Sequence, residues 1–359
     1  MATSKQDNST TATTKLILSS YQPSGANNTI ISPHLKELVL HDSSSSMTDE
    51  EVDILCKEIL MKRSSLTRLT LDLRECSDDG MRHIAELIEK TKTLKWVSLL
   101  LNNVSEVGAS HLAEAVKLSQ LEGFSIYATQ LDLHDRCIGD KGTEYLARVL
   151  EHNTSLKSLC IGQNGVTNIG LGCILRTLSN TESKSPNITN LDLHPNLIDT
   201  DGAAAIAAFL VSATTTVKLK RLILDENHHI GNEGAREIAL ALCHNSSLDM
   251  LSMRSCSIGS QGGARFATTL SKNKSLKKLD LRGNVDIGDS AVELLARGLK
   301  ENSSLKKLDL SSCGVGDEGC AGLADALTIN ETLTHLKLHR NDISDGGLIA
   351  LSEALNRNS

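Results

Sequence analysis

Aromatic residues are scarce in this chain. Phe, Trp and Tyr make up 2% of the 359 residues, although 40% of the residues are hydrophobic. A core of this composition has to be built from Leu, Ile, Val and Ala, which is unusual for an ordinary globular enzyme. The length suggests two or three domains, unless the chain consists of internal repeats that bury their apolar sides against one another.

An excess of basic residues is also missing. The chain has 37 Lys and Arg residues against 44 Asp and Glu residues, which gives a formal net charge of −7. A negative chain is repelled by phosphate backbones and by anionic lipid headgroups. The sequence therefore predicts neither nucleic acid nor a membrane as a partner.

Paired cysteines, a signal peptide and a membrane span are lacking as well. The nine cysteines are odd in number and contain no CxxC pair, so they indicate neither a disulfide framework nor a zinc site and fit a reducing compartment. The first 30 residues are rich in Ser, Thr and Asn, and no apolar run approaches the roughly 18 residues of a membrane helix. These absences predict a cytoplasmic protein, with a nuclear location as the alternative.

No catalytic or cofactor-binding motif stands out. The 25 glycines supply no GxxxxGK[ST] loop, and the periodicity brings no nucleophile, base and orienting group together. His335 and His339 fall on one predicted strand, which separates their Cα atoms by roughly 13 Å. Two loop groups have metal-binding residue types, and we interpret them as solvated: His228 with His229, and His134 with Asp135 and Cys137. We predict no enzyme activity, no metal and no cofactor.

The chain does contain a repeat. The pattern L-x-x-L-x-L begins eleven times, and its last three intervals are 28, 29 and 28 residues. On a strand, alternate residues point to the same side, so each start predicts a short strand with its leucines inward. The starts are Leu35, Leu66, Leu94, Leu121, Leu156, Ile188, Leu219, Leu248, Leu276, Leu305 and Leu333.

Three further columns predict a turn and a helix after each strand. Eight residues after the start, a small polar side chain satisfies the turning backbone at Asn102, Asn164, Asn196, Asn227, Cys256, Asn284, Cys313 and Asn341. Residue types that cap helices follow at Asp78, Asp140, Asn168, Thr200, Asn232, Ser260, Asp289, Asp317 and Asp345. Glycine comes two residues later, for example at Gly319 and Gly347, and indicates a close approach between helices.

One strand, one turn and one helix per repeat define the fold. Strands pack about 4.8 Å apart and helices about 8 to 10 Å apart, so a row of such units bends with its strands inside. The predicted fold is α/β, a horseshoe-shaped solenoid of about 11 repeats with parallel concave strands and convex helices over residues 34–359. Residues 1–33 are expected to form a mobile segment or a loose cap.

The longer motif L-x-x-L-x-L-x-x-N/C-x-I/V-x-x-x-G resembles the ribonuclease-inhibitor type of leucine-rich repeat. It is seen from Leu156 to Gly170 and from Leu333 to Gly347, and the resemblance covers residues 35–359. The class includes ribonuclease inhibitor, the ligand-sensing arrays of nucleotide-binding oligomerisation-domain receptors, and Ran GTPase-activating proteins. Its members share a shape and differ in their partners. The resemblance therefore implies the horseshoe but leaves the partner to be argued from the surface.

Residues two, four and six positions after each start point outward and form the concave face. The second-position column becomes cationic toward the C-terminal end. Asp192, Asp280 and Asp309 hold the fourth position, so a solvated ladder of neutralising charges is the alternative to a docking site. The candidate protein-binding residues in this part are Arg221, Met250, Arg254, Lys278, Lys307 and His335.

Three apolar candidates lie in repeats three and four: Trp96, Leu100 and Tyr127. A large apolar side chain that faces water on a concave wall marks an interface. The fourth repeat carries about seven extra residues between Ile126 and Ile138. The alternative is that this irregular unit folds over and buries the three side chains as local core.

The sequence predicts a scaffold that binds another protein through the concave face. One alternative is a GTPase activator similar to the Ran-directed proteins, which would position groups of a nucleotide-bound partner. Another is the ligand-sensing array, or a fragment, of an innate-immune-type receptor.

Overall fold

The computed structural model describes residues 14–18, 31–40, 47–62, 64–101, 104–128, 138–180, 187–212 and 217–358. These residues form one sheet of 12 parallel strands, whose order in space is their order in the sequence. The strands are β1 Thr14–Leu18, β2 Leu35–Leu40, β3 Arg68–Leu73, β4 Trp96–Leu101, β5 Gly123–Ala128, β6 Ser158–Cys160, β7 Asn190–Asp192, β8 Arg221–Ile223, β9 Met250–Ser252, β10 Lys278–Asp280, β11 Lys307–Asp309 and β12 His335–Lys337.

Each strand from β2 onward is followed by one helix. The helices are α1 Asp49–Met61, α2 Asp78–Lys90, α3 Glu106–Lys117, α4 Gly139–Leu150, α5 Asn168–Ser179, α6 Thr200–Val211, α7 Gly231–Leu242, α8 Ser260–Lys272, α9 Gly288–Glu301, α10 Asp317–Leu327 and α11 Asp345–Arg357. Eleven strand–helix units within the described residues confirm the predicted α/β solenoid and its repeat number. None of these helices is both long and apolar enough to cross a membrane.

The sheet also contains a strand from the segment that precedes the predicted array. Strand β1 pairs in parallel with β2, and the Lys15 ammonium lies 2.9 Å from a Glu37 carboxylate oxygen. Most of residues 1–33 lies outside the described residues. Whether that segment acts as a cap therefore stays a prediction.

The core is a continuous layer of aliphatic side chains between the sheet and the helices. The repeat starting at Leu276 is typical, because Leu276, Leu279 and Leu281 are each at most 1% exposed. Small helix residues such as Ala291 and Ala296 pack against this layer. The scarcity of aromatics thus has a structural counterpart in uniform leucine layers that repeat from strand to strand.

The predicted Asn column forms a hydrogen-bond ladder under the turns. The Asn284 amide donates to the carbonyl oxygens of Met253 and Leu281 at 2.8 and 2.6 Å. Its own oxygen accepts from the backbone N–H groups of Cys256 and Ile258 at 2.9 and 3.0 Å. One buried side chain therefore satisfies backbone groups of two consecutive repeats, which would otherwise be unpaired.

Cysteine fills this slot only in part. The Cys313 thiol donates to the carbonyl oxygen of Leu281, as the Cys256 thiol does to that of Leu224. Burial raises the pKa of the Cys313 thiol to about 12, so the group stays protonated and able to donate. A thiol is a weak donor and a weak acceptor, and it therefore replaces the amide incompletely.

The predicted helix-capping column is displaced by one or two residues. In four repeats the capping side chain is the residue before the predicted one, and these caps are Ser77, Thr167, Asp199 and Ser344. Thr48 and Ser105 cap α1 and α3, in repeats where no cap was predicted. Helices α4, α7, α8, α9 and α10 begin without a side-chain cap hydrogen bond at the N-cap residue. The prediction located the helix starts and named the wrong capping residues.

Most of the displaced acids cap the helix of the next repeat instead. The Asp317 carboxylate accepts from the backbone N–H groups of Ser344 and Gly347 at 2.9 and 3.0 Å. Asp289 does the same for Gly316 and Gly319. A carboxylate at a helix N-terminus also interacts favourably with the helix dipole. Neighbouring repeats are thus connected by charge-assisted hydrogen bonds along the array.

Four glycines of the predicted column lie directly against these acids: Gly108, Gly170, Gly319 and Gly347. A Cβ on Gly319 would lie 2.5 Å from the Asp289 oxygen and 3.0 Å from a methyl group of Val315. Any side chain there would push away the carboxylate that accepts the glycine N–H. The predicted close approach is confirmed, and at these four glycines its cause is an inter-repeat cap.

Candidate protein-binding surface

The concave face has the predicted register across neighbouring strands. The second-position residues Lys278 and Lys307 are opposite each other in β10 and β11, as are the fourth-position residues Asp280 and Asp309. The pairing of β4 with β5 is resolved up to Ala128 and places Trp96 opposite Gly123. Residues separated by 27 or more positions in the sequence therefore form continuous columns on this face.

Trp96 contacts both strands that flank it. The Arg68 guanidinium lies over the indole, 5.1 Å from the ring centroid, within cation–π range. On the opposite strand, a Cβ on Gly123 would overlap the six-membered ring, so the indole covers the glycine backbone. Trp96 stays half-buried, which leaves an aromatic surface in a defined orientation on the concave face.

Leu100 and Tyr127 are opposite each other in β4 and β5, as predicted. Leu100 is half-buried. The side chain of Tyr127 and residues 129–137 lie outside the described residues. An apolar patch of Trp96, Leu100 and Tyr127 therefore stays a prediction, and so does its alternative of burial under the fourth repeat.

Substituting Ala for Gly123 is expected to move the indole. The new methyl group would occupy the volume of the ring, so Trp96 has to rotate away from the sheet at a cost of about 1–3 kcal/mol. Trp96 is the single tryptophan of the chain, which makes its fluorescence a direct measurement. We expect red-shifted emission and stronger acrylamide quenching.

Gly172→Ala is the matched control, because a Cβ at Gly172 meets nothing within 4 Å. It should leave the emission spectrum unchanged. Identical spectra for the wild type and for Gly123→Ala would contradict the described position of the indole.

In the C-terminal half of the concave face, three acidic side chains are buried and several cationic side chains are exposed. Asp225, Asp280 and Asp309 are at most 5% exposed, whereas Arg221 and Lys307 are exposed. Asp309, for instance, accepts from the Ser311 hydroxyl at 2.6 Å. The exposed surface of this half is therefore more positive than the numbers of its acidic and basic residues indicate.

The alternative of a neutralising ladder holds for part of this face. Ion pairs join Arg254 to Asp225 at 3.4 Å, Lys278 to Asp280 at 3.7 Å, and Lys337 to Asp309 at 3.5 Å. Their cations are partly exposed, so each pair contributes little. Within the described part of the chain, no ion pair involves Arg221 or Lys307. Met250 is half-buried and His335 is exposed in the same column.

Asp280 and Asp309 face each other on adjacent strands but ionise differently. Burial and the neighbouring charge of Asp309 raise the pKa of Asp280. Burial acts in the same direction on Asp309, but hydrogen bonds from Ser311 and the charge of Lys337 outweigh it and lower its pKa. Hydrogen bonds from Ser311 and the charge of Lys337 thus make Asp309 the more easily ionised of the two carboxyls.

Opposite effects on stability are expected when each acid is replaced by its amide. A raised pKa means that ionised Asp280 costs stability above its unfolded pKa, so Asp280→Asn should raise the melting temperature at pH 7. A lowered pKa means that ionised Asp309 adds stability, which is lost as the pH falls through its folded pKa, so Asp309→Asn should lower the melting temperature at pH 7. We expect shifts of about 1–3 °C.

The two isosteric variants control for each other in thermal unfolding between about pH 3 and pH 7. The Asp280→Asn difference should shrink toward pH 3, because the raised pKa means that the carboxyl is protonated early. The Asp309→Asn difference should persist to lower pH, because the pKa of Asp309 is lowered. Shifts of equal sign at pH 7 would contradict the assignment of the two pKa directions.

The histidines of the concave face have separate partners. His335 Nδ1 lies 2.9 Å from the Thr334 hydroxyl, and His339 Nδ1 lies 2.9 Å from the Ser311 hydroxyl. His228 and His229 are exposed, and residues 134–137 lie outside the described part of the chain. Among the described residues, no three His, Cys, Asp or Glu side chains are grouped so as to hold a metal ion.

Two residues of the Trp96 arrangement were not predicted as candidates. Arg68 and Gly123 belong to the same second-position column as Trp96. A cation, an aromatic and a glycine in adjacent strands of one column were visible in the aligned repeats. Comparing the second-position residues of adjacent repeats would have indicated that the indole contacts both neighbouring strands.

Comparison with known proteins supports the class. A family model described as Leucine Rich repeat matches residues 217–239, 272–296, 301–324 and 330–352. Together with the eleven strand–helix units, this match shows that the chain has the leucine-rich repeat fold. It is similar to the cattle protein named NACHT, LRR and PYD domains-containing protein 3, with 28% identity over 160 residues. That match covers 44% of this chain and 15% of the relative's length.

The chain is also similar to two solved structures at low identity. The yeast Rad7 and Elc1 complex contains a chain with 18% identity and a TM-score of 0.49, and the match covers 86% of this chain and 77% of that one. A complex of TLR13 with ssRNA13 gives 18% identity and a TM-score of 0.44, over 87% of this chain and 37% of that one.

Proposed function

We propose that the chain is a scaffold that binds another protein through its concave face. The observation that carries this proposal is Trp96, a half-buried indole held between Arg68 and Gly123. An aromatic anchor that is already ordered loses little conformational entropy when a partner covers it. Its position on the sheet, away from the helices, indicates the concave face as the docking surface.

A reducing compartment fits this proposal. Seven cysteines of the described residues are free thiols, namely Cys56, Cys76, Cys173, Cys243, Cys256, Cys313 and Cys320. We therefore propose a cytoplasmic location, with the nucleus as the alternative. The fold is typical of non-enzymatic binding proteins, and we propose no catalytic role for the chain.

The test is the loss of binding on truncation of the anchor. Proteins captured from cytosolic extract by the immobilised chain are identified by mass spectrometry, and the affinity of the purified partner is then measured. Trp96→Ala should weaken that affinity by about 2 kcal/mol, roughly thirtyfold, without loss of folding. Circular dichroism checks the fold of the variant.

Ile169→Ala provides the control, because Ile169 is an exposed apolar residue of helix α5. It should bind like the wild type. Full binding by Trp96→Ala, or equal losses in both variants, would remove the case for the concave face.

The similarity to the cattle receptor supports a second candidate, a ligand-sensing array of an innate-immune-type receptor. That role would use the same concave face. The third candidate, an activator of Ran-type GTPases, is tested by the rate of GTP hydrolysis with the purified chain. Acceleration that disappears on mutation of the loops would replace the scaffold proposal.

A further inference from the structure

Four lysines are concentrated at the beginning of two neighbouring strands. Lys277 and Lys278 begin the strand region of β10, and Lys306 and Lys307 begin that of β11. We call these four residues the lysine ridge. Lys278 and Lys307 are opposite each other in the sheet, and the backbone N–H groups of Lys306 and Lys307 both donate to the Lys277 carbonyl. The sheet therefore holds these charges close together, about 4.8 Å apart at the backbone.

The fold does not neutralise the lysine ridge. Lys277, Lys306 and Lys307 are exposed, and no ion pair links them to a carboxylate of the described residues. Among the described residues, the only ion pair of Lys278 is with the buried Asp280, at 3.7 Å. Asp249 stands one residue after its repeat start, as Lys277 and Lys306 do, and it is paired with Lys220 at 3.8 Å.

Like charges opposite each other on adjacent strands destabilise a sheet. A carboxylate between Lys278 and Lys307 would replace one repulsive pair by two attractive ones. Exposed lysine side chains can adjust to such a group, because their stems are long and flexible.

From this arrangement we infer that the lysine ridge binds an acidic segment of the partner protein, with two or more Asp or Glu side chains between the strands. The inference rests on the proposed function and adds the chemistry of the partner. Charge complementarity of this kind acts mainly on specificity and on the rate of association.

An acidic peptide fits the ridge better than a polyphosphate does. The ridge offers four lysines over two strands, fewer than the six to ten phosphate contacts that typical nucleic-acid binding uses. Asp280 and Asp309 follow it along the same strands, and they repel any anion that extends beyond the lysines. The ridge therefore favours a short acidic segment over an extended polyphosphate.

The probe is a fluorescein-labelled hexaglutamate peptide, with fluorescence anisotropy measured at low and at physiological salt. The wild-type chain should bind it, more weakly at higher salt because exposed charges are screened. The double variant Lys278→Gln with Lys307→Gln should bind at least about tenfold more weakly. A matched double variant on α8, Arg265→Gln with Lys272→Gln, removes two exposed positive charges from a helix and should bind within about twofold of the wild type.

Equal losses in the two double variants would overturn the inference, because only the overall charge would then matter. Equal binding of a hexaglutamine peptide would overturn it, and so would no hexaglutamate binding at low salt. Tighter, ridge-dependent binding of an oligothymidylate would replace the acidic peptide by a polyphosphate. Trp96→Ala should keep the affinity for the peptide. If the lysine ridge does not bind the peptide but Trp96→Ala still weakens partner binding, the inference is wrong and the proposed function stands.

Discussion

Leu308→Asp is expected to unfold the C-terminal repeats. Leu308 is 1% exposed in β11 and lies between Leu279 and Leu336 of the neighbouring strands. A carboxylate in this leucine layer has no partner, so we expect a loss of more than about 4 kcal/mol in the free energy of unfolding. Urea unfolding followed by far-UV circular dichroism measures it.

Leu336→Asp is the matched comparison, because Leu336 holds the same repeat position in β12 and is only half-buried. Its carboxylate can reach water, and the loss should be smaller by at least about 2 kcal/mol. An unchanged unfolding curve for Leu308→Asp, or equal losses at the two positions, would show that the assigned register is wrong.

The second large effect is expected from Asn284→Ala. This substitution leaves the Met253 carbonyl oxygen and the N–H groups of Cys256 and Ile258 unpaired under the turns. The Leu281 carbonyl oxygen keeps only the weak Cys313 thiol donor. We expect a loss of about 3–5 kcal/mol, since each buried unsatisfied group costs about 1–3 kcal/mol and the backbone relaxes in part. Thermal unfolding with hydrogen exchange at Cys256 and Ile258 would locate the damage.

Asn284→Cys is the informative control, because the chain itself has cysteine in this slot at Cys256 and Cys313. A thiol restores a weak donor, as the Cys313 thiol shows with Leu281. We therefore expect a stability between those of the wild type and the alanine variant. A cysteine variant no more stable than the alanine one would argue against the amide donors as the source of the effect.

The strands and the core were predictable because the same leucine pattern recurs in each repeat. Leu276, Leu279 and Leu281 recur as Leu305, Leu308 and Leu310, and one strand register satisfies both sets. The capping residues were not predictable from one repeat alone. Asp317 has the residue type of a cap, but its hydrogen bonds reach Ser344 and Gly347 in the next repeat.

The sequence predicted which residues form the columns of the candidate surface, but not which side chains contact each other there. Trp96 was singled out as an exposed aromatic, while its contacts with Arg68 and Gly123 depend on which strands are neighbours. The cationic column from Arg221 to Lys307 was also visible. How deeply the acids lie beneath it was not, because burial depends on side chains from adjacent strands.

The sequence by itself determined the repeat, the inward leucines and the order of the strands, because these follow from local periodicity and from the cost of exposing apolar side chains. Only the tertiary structure decided which groups meet across repeat boundaries. Such contacts join residues about 28 positions apart in the sequence, and their energies depend on distances of a few ångströms. The acid that caps a neighbouring helix, the indole over Gly123 and the unneutralised lysine ridge all arise there.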